Sequence, residues 1–351
     1  MVDRTDVLGA LAKVSDPELR KDVVSLGMVD DVEVQGARVS FTLNLTTPAC
    51  PLRTRIEQGA RDAVSGLPGV KEVVMKTSSK VFATRDYDQA EVLRGVKNII
   101  AVASGKGGVG KSTIAVNLAV ALAASGARVG VLDADVYGPN VPHMMGIDAD
   151  ATVKEGKIEP ATAFGVKVAS LGFFYKDETP LIWRGPLVAG AVRQLLTQVD
   201  WGDLDYLVID LPPGTGDSSL TLAQTVPLGG VVIVTTPQEA ALNIAAKSLA
   251  MFRRLNVPIL GIVENMSYFV CPHCGEKAYV FSSGGGRRIS AQLGVDFLGE
   301  IPLDPSVREQ SDLGTPEVAA KPDSPGSQVF KEFAFRVAGM VSIVAYSKVK
   351  K

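Results

Sequence analysis

Five apolar residues, Ile99-Ile100-Ala101-Val102-Ala103, run without a break into Ser104-Gly105-Lys106-Gly107-Gly108-Val109-Gly110-Lys111-Ser112-Thr113. An apolar strand, a glycine-rich loop and a following helix are the context that confirms the G-x-x-x-x-G-K-S phosphate loop. Glycines let backbone N–H groups turn inward on phosphate oxygens, and the helix that follows adds the positive end of its dipole. The motif assigns Gly105, Lys106, Gly107, Gly108, Val109, Gly110, Lys111, Ser112 and Thr113 to nucleotide contacts. Lys111 is expected on the β- and γ-phosphates, and Ser112 on Mg²⁺.

Two downstream segments suit the same chemistry. Gly130-Val131-Leu132-Asp133-Ala134-Asp135 ends an apolar run with carboxylates two residues apart, which extended backbone would turn to one side. They suit Mg²⁺ hydration and orientation of an attacking water, with Asp133 expected among the metal ligands. Tyr206-Leu207-Val208-Ile209-Asp210 is an apolar strand ending in an acid, and Asp210 is expected to hold Mg²⁺, partly through water. In Leu211-Pro212-Pro213-Gly214-Thr215-Gly216-Asp217, which follows, the Gly214 amide is expected near the γ-phosphate. An acid at a strand end is often only a helix cap, but downstream of a phosphate loop the metal reading is favoured.

The rest of the chain is read around this loop. From Val96 onward, apolar stretches at Val129–Leu132, Tyr206–Ile209, Val231–Thr235, Ile259–Val263 and Phe297–Ile301 alternate with helical patterns. Near-continuous apolar strands are covered on both faces, so a P-loop α/β fold with a mostly parallel sheet between helices is expected over 96–351. The last helix, about Gln328 to Tyr346, would bury Val329, Phe333, Val337, Met340 and Val344. Residues 1–85 read as a separate small α/β domain. It has a helix through Val7, Leu8, Leu11 and Val14, then strands at Val29–Val34, Val39–Leu45 and Val70–Met75. A helix after Pro51 ends near Gly66, and the polar stretch 86–95 is the linker.

Composition narrows the function classes. Of 351 residues, 46% are hydrophobic and 21% charged, so two domains can be cored. The net charge of −2, from 36 basic and 38 acidic side chains, argues for neither a nucleic-acid partner nor an anionic membrane. No apolar run approaches the ~20 residues of a spanning helix. The N-terminus carries no signal-peptide core, and three cysteines make no disulfide scaffold, so a cytoplasmic location is expected.

Cys271-Pro272-His273-Cys274 follows a core strand directly. A single-chain zinc knuckle would need two more ligands, and no second C-x-x-C exists. A thioredoxin-like pair would open a helix, whereas Gly275 and a strand-like Ala278-Tyr279-Val280-Phe281 follow. The third reading that competes is a half-site: two cysteines from each of two chains give four thiolates, the count for Zn-Cys₄ or [4Fe–4S]. Ligand count alone does not choose between them. Cys50 is a candidate accessory thiol, weighed evenly against a half-buried side chain after a strand.

Lys106 carries the first resemblance. K-G-G-x-G-K-S resembles the deviant Walker A motif of the dimeric ATPases that include nitrogenase iron protein and the cell-division and partition ATPases. That resemblance implies a homodimer in which Lys106 reaches the partner's nucleotide, with Lys106, Lys111, Asp135 and Asp210 as the catalytic set. It further implies that Asp135 positions the attacking water and that Asn265, in Glu264-Asn265-Met266, reads the adenine edge. No guanine-reading N-K-x-D stands there, so ATP is expected.

The wider match resembles the Mrp/ApbC-type iron–sulfur cluster carrier ATPases. It rests on Asp135-Val136-Tyr137-Gly138-Pro139, Trp183-Arg184-Gly185-Pro186, Asp205 through Asp217, and Asn265-Met266-Ser267 through Cys274. Asp16-Pro17-Glu18, Leu26-Gly27-Met28-Val29 and Thr46-Thr47-Pro48-Ala49-Cys50-Pro51 resemble the small iron–sulfur assembly domain fused ahead of the ATPase in bacterial members. Ser25 and Asn140 depart from the pattern, away from the phosphate loop and the cysteine pair. Membership implies ATP, Mg²⁺ and a labile [4Fe–4S] cluster on Cys271 and Cys274, passed from donor proteins to apo-proteins. The alternatives are a zinc-stabilised regulatory ATPase and a spatial-organisation ATPase of the partition type.

Overall fold

The computed structural model describes residues 2–349 except 18, 85–92, 94, 136–137, 149–151, 174–184 and 215. Most of the expected linker lies outside the described residues, as do Glu18, Val136-Tyr137, Trp183-Arg184, Thr215 and the last two lysines. The chain divides into two compact units. One runs to Phe82 and includes the end of the last helix from Ala338, and the other is Ala83–Val337.

In the first unit, strands Val29–Gln35 and Arg38–Leu45 form a hairpin, and Glu72–Ser79 pairs parallel to the second of them. Gly36, at φ +64°, makes the tight turn between the first two. Val39, Phe41, Leu43 and Leu45 alternate inward, each at most 2% exposed. The parallel pairing needs a crossover, which helix Arg53–Ser65 supplies by burying Ile56, Ala60 and Val64 on one stripe. The first helix, Arg4–Leu11, starts on a capping box: Asp3 accepts from the Asp6 N–H at 2.9 Å, and Asp6 accepts from the Asp3 N–H at 3.0 Å. It stops at Leu11, short of the expected Val14. The end of the last helix, expected within a domain of residues 96–351, groups with this unit: Tyr346 packs on its core and Lys21 lies 4.8 Å from the Tyr346 ring.

The second unit is built on an eight-stranded sheet. Its order is Ala161–Ala163, Val166–Ser170, Val129–Asp133, Leu204–Asp210, Val96–Ser104, Gly230–Thr235, Ile259–Glu264 and Phe297–Glu300. Every pairing is parallel except the first. Ile99, Ile100, Ala101 and Val102 are all fully buried, and neighbouring residues of a strand face opposite ways, so both faces are covered. One face carries an apolar core where Phe252, Leu222 and Val192 meet the sheet. Each such side chain contributes about 1.5–3 kcal/mol by leaving water.

Three local expectations differ. The sequence reading places no strand between Leu132 and Tyr206, yet Val166–Ser170 enters the sheet beside Val129–Asp133. Lys167 hides that strand in the sequence, and its ammonium is bonded to the carbonyls of Asp200 and Trp201. The strand after the cysteine pair is only Lys277–Ala278, while Tyr279, Val280 and Phe281 are exposed. The last helix, Pro325–Val349, buries Phe330, Phe333, Ala334, Val337, Ala338, Val341 and Ala345, so Val329, Met340 and Val344 flank the stripe.

Candidate functional site

The phosphate loop leaves the C-terminal end of Val96–Ser104, a central strand of the sheet, and helix Lys111–Ala124 follows. Parallel register sets Asp210 beside Val102 and Asp133 beside Asp210, so three adjacent strand ends deliver loop and acids to one edge. Two glycines are required by contact. A Cβ on Gly105 would lie 2.6–2.9 Å from Ile244 and Ala245 atoms. Gly110 has φ +79°, and a Cβ there would meet the Asn265 amide nitrogen at 2.2 Å.

The charged centre is compact. Lys111, 6% exposed, places Nζ 2.6 Å from Asp210 Oδ1 and 3.9 Å from Asp135 Oδ2. The Ser112 hydroxyl donates to Asp210 Oδ2 at 2.5 Å. Lys111, Ser112, Asp135 and Asp210 are therefore brought together as the sequence motifs suggest. A cavity of about 200 Å³ opens over them, lined by Lys106, Gly107, Gly108, Thr113 and Met144 among others. Lys106 is half-buried on its wall and makes no ion pair among the described residues. The Gly214 N–H donates to the Ser104 carbonyl at 2.9 Å, which ties the downstream loop to the start of the phosphate loop.

Asp133 is held by groups of the protein itself. Its carboxylate accepts from the Asp135 and Val141 N–H groups at 3.1 Å each and from the Ser170 hydroxyl at 3.3 Å. Both oxygens thus accept from protein donors, and the side chain fastens the strand end to the next helix. Full burial, and then the charge of Asp210, push its carboxyl up to about 8.

Asn265 too has a partner inside the protein. Its amide donates to the Val109 carbonyl at 2.8 Å, and its N–H donates to Thr235 O at 2.8 Å. It braces the phosphate loop from the next strand but one. Asn265→Ala is expected to cost about 1–3 kcal/mol, because the buried Val109 carbonyl loses its donor; urea unfolding of wild type and variant measures it. Sequence reasoning missed Glu264, which is fully buried, accepts from Ser267 Oγ at 2.6 Å and also takes the Gly286 N–H. An acid closing the apolar run Ile259–Val263 was the available signal, the same one that marks Asp210.

Six residues beyond Asn265, Cys271 begins the turn of a small hairpin in which Phe269–Val270 pairs with Lys277–Ala278. The Gly275 N–H donates to the Cys271 carbonyl and the Cys271 N–H to Glu276 O, both at 2.9 Å, and Gly275 takes φ +74°. Cys271 is half-buried and Cys274 exposed. Hydrogen bonds from the Cys274 and His273 N–H groups, and then from the Cys274 side chain, hold the Cys271 thiol below its usual range, which favours the thiolate that binds metals. Among the described residues no group of three or more His, Cys, Asp and Glu could hold a metal ion. The pair therefore has no further protein ligand from its own described chain. Cys50 lies buried in the apolar core of the first unit.

Known proteins resemble this chain over most of its length. The model of a family described as ParA, NUBPL iron-transfer P-loop NTPase, matches residues 31–338. An iron-sulfur cluster carrier protein of Synechocystis sp. is 48% identical over 351 residues, covering 98% of this chain and 99% of its own. A nucleotide-binding protein from Archaeoglobus fulgidus, solved in complex with ADP, is 43% identical with a TM-score of 0.58, covering 64% of this chain and 89% of its own. The cell division ATPase MinD of Pyrococcus furiosus shares the fold at 24% identity and a TM-score of 0.52, over 68% of this chain and 98% of its own.

Proposed function

Since this chain belongs to the NUBPL iron-transfer P-loop NTPases, we propose that it is an ATP-dependent carrier of a [4Fe–4S] cluster. Two copies hold the cluster as cargo between their Cys271 and Cys274 thiolates and release it to apo-proteins. The observation that carries the reading is the thiol hairpin: two accessible cysteines, one biased toward thiolate, with no third protein ligand among the described residues. A half-complete site suits cargo that must leave. Delivery is ligand exchange, in which thiolates of the acceptor replace those of Cys271 and Cys274 without net oxidation. This hairpin favours the carrier over a partition-type ATPase, which has no use for the pair.

ATP would occupy the cavity over the phosphate loop. Lys111 neutralises phosphate charge and loop N–H groups orient the phosphates, while the Gly214 N–H would have to leave the Ser104 carbonyl to donate to the γ-phosphate. Asp135, beside Lys111, orients the attacking water. The touching hydroxyl of Ser112 and carboxylate of Asp210 form a hard oxygen donor set that fits Mg²⁺. When bound there, Mg²⁺ supplies further charge neutralisation on the phosphates. Asn265 serves as a brace of the phosphate loop, and an adenine contact by its side chain would have to coexist with the Val109 bond.

Lys106 is the residue proposed to cross to the second copy. Lys106→Ala is expected to bind ATP within about threefold of wild type and to hydrolyse it about 100-fold more slowly, as when one donor to a transition-state oxyanion is removed. Phosphate release and light scattering measure hydrolysis and ATP-driven dimerisation. The whole reading is tested by cluster transfer from the loaded protein to a purified apo-[4Fe–4S] enzyme. ATP should change the transfer rate in wild type and leave it unchanged in Lys106→Ala.

A further inference from the structure

A second cavity, of about 210 Å³, lies against the thiol hairpin, with Tyr268 and Lys277 in its wall. We propose that it binds a small organic carboxylate, a site that goes beyond cluster carriage and does not depend on it. Three cations reach it from three different elements: Lys277 of the hairpin, Arg287 of helix Gly285–Leu293, and Arg336 of the C-terminal helix. Each is positioned by a neutral group. Lys277 Nζ sits 4.0 Å from the Tyr268 ring centroid, Arg287 lies 4.8 Å from the Phe297 ring centroid, and Arg336 donates to the Leu298 carbonyl at 3.3 Å.

Two acids face the same space. Glu300 comes no nearer to Arg287 than 3.9 Å, and Glu332 makes no ion pair among the described residues. Three cations against two carboxylates leave an excess of one positive charge, which suits a monoanion and disfavours a dianion such as phosphate. At the start of helix Gly285–Leu293 the Gly286 N–H is already taken by Glu264. Leu298, Ile301 and Phe333, all buried, give the cavity an apolar floor. A carboxylate on a compact hydrocarbon body therefore matches both linings.

Benzoate is a direct probe, titrated into the full-length protein and followed by ligand-observed NMR, with benzamide as the neutral isostere and phosphate as the dianion. Exposed cations each supply modest energy, so Lys277→Gln and Arg336→Gln are each expected to weaken benzoate about three- to fivefold. Benzamide and phosphate should bind more weakly than benzoate. Thermal unfolding of the variants, with midpoints expected to match wild type, guards against misfolding. The assignment is overturned if benzoate does not bind, if benzamide or phosphate binds as well, or if the Lys277→Gln/Arg336→Gln double variant binds benzoate like wild type.

Discussion

Lys111→Ala is expected to weaken ATP binding by about 100-fold, the equivalent of roughly 2.8 kcal/mol, and to abolish measurable hydrolysis. The cause is the loss of the Lys111 cation at the foot of the phosphate loop, 2.6 Å from Asp210 and 3.9 Å from Asp135. The variant carries a second cost. Asp210 is fully buried, and without Lys111 it becomes an uncompensated charge beside Asp133, a loss of about 3–5 kcal/mol for a broken buried pair. The two effects separate in the Lys111→Met/Asp210→Asn double variant, which removes both charges. It should regain most of the stability in urea unfolding and none of the ATP affinity in calorimetry. If the double variant recovered ATP binding, Lys111 would be a structural ion-pair partner and not a phosphate ligand.

Cys271→Ala and Cys274→Ala should each bring activation of an apo-[4Fe–4S] enzyme down to the background of free iron and sulfide. Neither substitution should unfold the protein. The hairpin is exposed at Cys274, its turn is closed by backbone hydrogen bonds of Cys271, and surface changes of this kind stay within about 0.5 kcal/mol. Cys50→Ala gives the contrast. Buried in the core of the first unit, it should leave delivery intact and lower stability by about 1 kcal/mol or more. Activation assays and thermal unfolding on the three variants read both quantities. Loss of delivery in Cys50→Ala with the hairpin variants active would transfer the cargo site to the first unit.

Much of this was legible in the sequence, and the reasons are physical. Strands buried on both faces leave unbroken apolar runs, so Ile99–Ala103 and Tyr206–Ile209 declared themselves, and the glycine spacing of the phosphate loop admits few other uses. Asp210 was found because a charge at the end of such a run needs a partner. Val166–Ser170 was missed because Lys167 interrupts it, and only the fold supplies the carbonyls that receive that ammonium. The roles of Asp133 and Asn265 depend on groups distant in sequence. Ser170 lies 37 residues from Asp133, and Val109 lies 156 residues from Asn265. No local pattern encodes those meetings. The buried stripe of the last helix shifted for a similar reason: which apolar residues face inward was settled by packing, with Phe330 chosen over Val329.

The central claim is that one cluster is shared by two chains through four thiolates. Native mass spectrometry of the anaerobically reconstituted full-length protein, with iron and acid-labile sulfide assayed on the same sample, tests it most directly. The account expects a mass of two chains plus one cluster, about four irons and four sulfides per pair, and no such species from Cys271→Ala/Cys274→Ala. A zinc-bound colourless dimer, a cluster carried by a single chain, or a cluster that persists without both cysteines would contradict it.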